Sequence, residues 1–97
     1  MAHDILIVDD EADIRSAVTG ILEDEGYECR TASNSDQALE AIRTRRPNLV
    51  LLDIWLQNSA MDGLEILQLL HREHADLPVV MISGHGTIES AVWAIKE

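Results

Sequence analysis

The sequence predicts a doubly wound α/β fold, a parallel sheet with helices on both faces. Two observations predict it. Short, continuous apolar runs of the kind found in strands buried on both faces recur along the chain. Between them lie stretches whose apolar residues repeat at helical spacing, giving four strand–helix units in a row. Strand–helix alternation of this kind closes into a parallel sheet through right-handed crossovers. No linker, sequence repeat or low-complexity segment interrupts it. Ninety-seven residues, 46% of them apolar and 26% charged, suffice for one folded domain. With no Phe, its core is aliphatic.

Ile5-Leu6-Ile7-Val8 reads as the first buried strand. Ile14, Ala17, Val18, Ile21 and Leu22 then form the apolar stripe of a helix that Gly26 stops. Tyr27 to Ala32 alternates, as a strand near a sheet edge does, and carries the single cysteine, Cys29. A second helix starts at Asn34 as N-cap, with Gln37 three residues on, and ends before Pro47. Arg43, Arg45 and Arg46 near its end complement the negative helix terminus. Leu49 to Leu52 is the next buried strand, and Leu64, Leu67 and Leu70 mark a third helix reaching about Ala75. Val79-Val80-Met81-Ile82 is the fourth strand, and Gly86 or Thr87 opens a fourth helix bearing Ile88, Ala91, Val92 and Ile95.

A net charge of −11 disfavours nucleic acid and anionic membrane as direct partners, because phosphate binding needs clustered Lys and Arg. No apolar run reaches the length of a membrane span, and the start "MAHD" lacks the basic and apolar regions of a signal peptide. A cytoplasmic location is the expectation.

In parallel sheets the site lies at the carboxyl ends of the strands. Here the first strand runs into Asp9-Asp10-Glu11, the third into Asp53 and the fourth into Ser83-Gly84-His85-Gly86. Each group alone has an ordinary reading: helix-start acids, a solvated strand end, a turn. Together on one rim they predict a site. Converging carboxylates repel, and a divalent cation relieves that. Mg²⁺ suits a site with few carboxylates and room for a phosphate oxygen. Asp53, central on the rim, is placed to attack a phosphoryl group as a carboxylate nucleophile, and the Ser83 hydroxyl to bond a phosphoryl oxygen. His71 and His74, three apart on the third helix, read as surface residues, and His85 as a polar rim residue. Trp55 reads as a half-exposed rim aromatic and Trp93 as an exposed one.

The segments "ILIVDDEADIR", "LVLLDIWL", "DGLEIL" and "PVVMISGHG" together resemble the receiver domain of two-component response regulators, over the whole chain. The likeness is strongest to receivers of NtrC-type nitrogen regulators, NtrX among them, where "DIWLQ", a longer loop and "MISGHG" occur together. The resemblance implies a flavodoxin-like (CheY-like) fold and a phosphorelay switch, not an enzyme. It implies that Asp53 accepts phosphate from a sensor histidine kinase of the NtrY kind. It implies Mg²⁺ bound directly by Asp10, Asp53 and the Trp55 backbone carbonyl, and by Asp9 through water. Ser83 becomes the hydroxyl that moves on phosphorylation. The output implied is control of an attached sigma-54-type transcriptional activator through changed association.

Residues 1–97 are then a receiver whose fifth strand, family lysine and last helix have no counterpart. Lys96 falls in the fourth helix, and the expected consequence is self-association through the fourth strand and helix. The loop from Asp53 to Gly63 is two residues longer than usual, and Gln57 stands where most receivers have proline. Two other functions compete. A haloacid dehalogenase-type aspartyl-phosphate hydrolase needs a second aspartate two residues after the nucleophile, where Trp55 stands. A degenerate receiver, binding partners without phosphorylation, fits the missing lysine but not the intact Asp9, Asp10, Asp53 and Ser83.

Overall fold

A computed structural model describes residues 3–82. The elements run β1 (Asp4–Val8), α1 (Ala12–Asp24), β2 (Glu28–Ala32), α2 (Ser35–Thr44), β3 (Leu49–Asp53), α3 (Gly63–Glu73) and β4 (Val79–Ile82). The strands form one sheet in the order β2-β1-β3-β4, with every neighbouring pair parallel. This is the flavodoxin-like arrangement, in which the chain first moves outward from β1 to β2 and then back past β1 to β3 and β4. The fourth helix expected from Gly86 or Thr87 lies outside the described residues.

Strand position explains strand sequence. β1 and β3 are central, covered on both faces, and read as unbroken apolar runs; Leu6, Ile7, Val8, Val50 and Leu52 are fully buried. β2 is an edge strand of the described sheet, and Ala32 alone of its residues is buried. The helix ends are equally explicable. Gly26 has φ +94°, its N–H donates to the Glu23 carbonyl and the Tyr27 N–H to the Leu22 carbonyl, which is a Schellman stop for α1. Asn34 caps α2 by accepting from the Gln37 N–H at 2.9 Å. Asp62 and Glu65 form a reciprocal capping box on α3.

The sheet has an apolar cluster on each face. α2 and α3 share one, through Ala38, Ile42, Ile66 and Leu70 against Leu6, Val8, Val50 and Leu52. α1 packs on the other, with Val18 and Leu22 against Ile5, Ile7, Leu51 and Val80. Each such Leu or Ile contributes roughly 1.5–3 kcal/mol when fully buried.

Two local expectations need correction. No residue of α1 is buried, and Ile21 of its stripe is 50% exposed. α1 is the only described helix on its face, whereas α2 and α3 flank each other on theirs. On α3, Leu64 points outward and is 53% exposed, and Ile66 takes the core position instead. Of the basic cluster near Pro47, Arg43 stands in the last turn of α2, as expected of a cation at a helix end. Arg43 pairs with Glu40 and Arg45 with Asp4, while Arg30 of β2 donates to the Ala41 and Arg45 carbonyls. Arg30 also grips Asp4 through both carboxylate oxygens, which makes a buried acid at the start of β1 tolerable.

Candidate functional site

β1 and β3 are adjacent and in register from Ile5↔Leu49 to Val8↔Leu52, so Asp9 and Asp53 leave the sheet side by side. The backbone continues sheet-like pairing at that rim, with the Asp9 N–H donating to the Ala32 carbonyl and the Ile54 N–H to the Ile82 carbonyl. Asp9, Asp10 and Asp53 each place a carboxylate oxygen within 4.8 Å of the others. It is the one such group of potential metal ligands among the described residues. His71 and His74 take no part in it. Asp9 is 1% and Asp53 2% exposed; Asp10 is half-buried.

Two backbone amides orient the buried pair. The Glu11 N–H donates to Asp9 Oδ1 at 2.8 Å, and the Trp55 N–H to Asp53 Oδ1 at 3.0 Å. Trp55 is 66% exposed, more than the half-exposed aromatic expected. Burial pushes the Asp53 carboxyl up to about 6, against the opposing pull of the Trp55 N–H, and the nearby Asp9 charge adds to the rise. Burial raises Asp9 as well, opposed by the Glu11 N–H. Asp9 Oδ2 is buried without a hydrogen-bond partner among the described residues. A buried, unsatisfied carboxylate oxygen beside two further carboxylates is an all-oxygen donor set, and it fits a hard divalent cation.

Sequence reasoning missed Arg15. From the first turns of α1, its Nη1 donates to the Asp9 carbonyl at 2.7 Å, and its charge opposes the rise at Asp9. Its partner is a backbone carbonyl six positions back, which no side-chain spacing signals. Gly63 was also missed. A Cβ there would overlap the Asp53 carbonyl oxygen and stand 2.8 Å from Ile54 Cα, so only glycine lets α3 start against the end of β3. Gly63→Ala is expected to lower stability by about 1–3 kcal/mol, read as a lower urea midpoint at unchanged slope; an unchanged midpoint would mean the loop absorbs the methyl group. Ser83, with His85, Trp93 and Lys96, lies outside the described residues.

The family model for the response regulator receiver domain matches residues 5–97. The chain belongs to that family. The receiver is 68% identical over 96 residues to the nitrogen assimilation regulatory protein NtrX of Azorhizobium caulinodans, covering 99% of this chain and 21% of that protein. It is 33% identical over 91 residues to the DNA-binding transcriptional regulator NtrC of Klebsiella pneumoniae, covering 94% and 19%. The crystal structure of the receiver domain of NtrX from Brucella abortus superposes with a TM-score of 0.82 at 62% identity, covering 96% of this chain and 78% of that one. The chain spans about a fifth of the length of the curated relatives it matches.

It is therefore a receiver of the NtrX and NtrC type, a signalling domain of two-component systems, in which response regulators are paired with sensor kinases. Receivers bind Mg²⁺ at an acidic pocket, and Asp9, Asp10 and Asp53 form such a pocket here. No described helix is long and apolar enough to cross a membrane.

Proposed function

We propose that this receiver is a phosphorylation switch whose acceptor is Asp53. A carboxylate oxygen of Asp53 attacks the phosphorus of a phosphohistidine on a sensor kinase of the NtrY kind. The new P–O bond forms as the P–N bond breaks, leaving an acyl phosphate on Asp53 and returning the imidazole to the kinase. The observation that carries this reading is the burial of Asp53 at a strand end with two other carboxylates in reach and its Oδ1 fixed by the Trp55 N–H.

Asp10, Asp53 and the Trp55 carbonyl would hold Mg²⁺ directly, with Asp9 acting through water. A bound Mg²⁺ supplies positive charge that offsets the oxygens of the transferring group. The chain's own contribution is orientation. β1 and β3 set the two carboxylate positions, and the Glu11 and Trp55 amides fix one oxygen of each buried acid. Ser83 would bond a phosphoryl oxygen and carry the change outward. The receiver would then alter the association of an attached sigma-54-type activator in the cytoplasm. β4 would take part in self-association; it ends the described sheet, and Val79, Met81 and Ile82 are only half-buried. Residues 1–97 would belong to one receiver domain.

The test is incubation with Mg²⁺ and a small acyl phosphodonor, followed by peptide mapping. The modification is expected on the Asp53 peptide and is lost in base or hydroxylamine; label on another peptide rejects the assignment. The ligand roles make a separate prediction. Asp9→Asn should weaken Mg²⁺ binding by roughly tenfold, and Asp10→Asn by more, in fluorescence titrations that follow Trp55. A smaller loss at Asp10 than at Asp9 would exchange their roles.

A further inference from the structure

Beyond Trp55, the loop from Leu56 to Asp62 has no part in the chemistry above, yet it is tied down. Leu56 is 5% exposed within the cluster shared by α2 and α3, and Met61 packs against the same cluster. Asn58 turns the chain at φ +54°. Between these points the loop meets Ser35, the first residue of α2. The Ser35 N–H donates to Ser59 Oγ at 2.8 Å, and the Met61 N–H donates to Ser35 Oγ at 3.1 Å. Two hydrogen bonds thus bridge the same gap, and Ser35 is only 1% exposed.

Helix-start chemistry alone does not account for this hydroxyl. Asn34 already caps α2, so the cap does not need a hydroxyl at the next position. What the hydroxyl does satisfy is a loop amide two residues before Gly63, and Gly63 lies against the Asp53 carbonyl and Ile54. The connection from Ser35 to the acceptor backbone is therefore continuous: Ser35, Met61, Gly63, Asp53.

We propose that Ser35 is a positioning residue, whose hydroxyl clamps the loop after β3 and thereby holds Asp53 and Trp55 in the arrangement that receives the cation. This rests on the reading of Asp53 and Trp55 given above. With the clamp open, the descending limb of the loop is free to leave the end of β3, and the Trp55 amide loses its fixed direction toward Asp53 Oδ1.

The experiment compares Ser35→Ala with the unsubstituted chain, both carrying Trp93→Phe so that Trp55 is the only indole. In metal-free protein the Met61 amide should exchange with solvent about fivefold to tenfold faster, as expected for loss of one partly buried hydrogen bond. Mg²⁺ affinity, titrated by Trp55 fluorescence, should fall at least about threefold, because ligands held less rigidly must be ordered on binding. Ser59→Ala removes the second bond from a half-buried loop position, and should move both readouts in the same direction if Ser35→Ala fails to fold. Unchanged exchange at Met61 overturns the clamp. Faster exchange with unchanged Mg²⁺ affinity reduces Ser35 to a structural residue and overturns its positioning role. Neither readout uses phosphate, so failure of Asp53 to accept phosphate in the unsubstituted chain would defeat the proposed function without touching this result.

Discussion

Asp53→Asn lowers phosphoryl incorporation by at least about a thousandfold, the scale expected when a nucleophile is removed and its surroundings are kept. The amide has the carboxylate's size, and its Oδ1 still accepts from the Trp55 N–H. The packing of Asp53, which is 2% exposed, is also preserved. What disappears is the anionic oxygen that forms the bond to phosphorus in the proposed transfer. Asp10 and Asp9 remain within reach, so the comparison also asks whether a neighbour substitutes. For Asp9 the surroundings predict that it does not. Asp9 has one oxygen committed to the Glu11 N–H and the other enclosed. Intact mass after exposure to Mg²⁺ and a small acyl phosphodonor measures the outcome. A hydroxylamine-labile adduct persisting in Asp53→Asn would move the acceptor to another carboxylate.

The parts of this molecule legible in the sequence are those whose environment is set locally. Leu49 to Leu52 could be read as a central strand because a parallel strand covered on both faces has no polar side to display. Asp53 stood out because a charged residue ending such a run needs a compensating use, and Asp9 and Asp10 followed from the same topology. The burial of α1 was not legible. Its stripe is helical, as expected, but how far a stripe is covered depends on what else packs on that face, and Ile21 remains half exposed. Contacts between residues far apart in sequence were invisible for a related reason. Ser35 reaches Met61 across 26 positions, and Arg30 reaches Asp4 across the same separation. Nothing in the spelling of a serine at a helix start, or of an arginine on an edge strand, marks either partner. The longer loop after Asp53 was visible as a length; its attachment to α2 is a property of the fold.

Without divalent cation, the contribution of Asp53 makes the protein more stable near pH 5 than at pH 7. The carboxyl has its ordinary value, 3.8, in the unfolded chain and about 6 in the folded one, with burial the main cause. Between these values the folded state binds more protons than the unfolded state, so stability falls as pH rises and levels off above about 6. A shift of about two units at about 1.4 kcal/mol each sets the loss near 3 kcal/mol at most. Asp9 is displaced in the same direction by its own burial and adds to the trend. Asp53→Asn removes the ionisation and leaves the hydrogen bond to the Trp55 amide in place. It should therefore stabilise the cation-free protein by about 1–3 kcal/mol at pH 7 and by little at pH 4. Mg²⁺ at the proposed site is expected to reverse the comparison by binding the ionised carboxylates of the folded state; at a hundred times its dissociation constant it would add about 2.7 kcal/mol to a protein that keeps Asp53. Urea unfolding at pH 4, 5 and 7, with Mg²⁺ or with a chelator, measures all of these terms. The difference between the two chains reports Asp53 together with its repulsion from Asp9 and Asp10, and excludes every carboxylate outside the site. A difference that does not change between pH 4 and pH 7 in the chelator would mean that Asp53 titrates in the folded protein as it does in the unfolded chain.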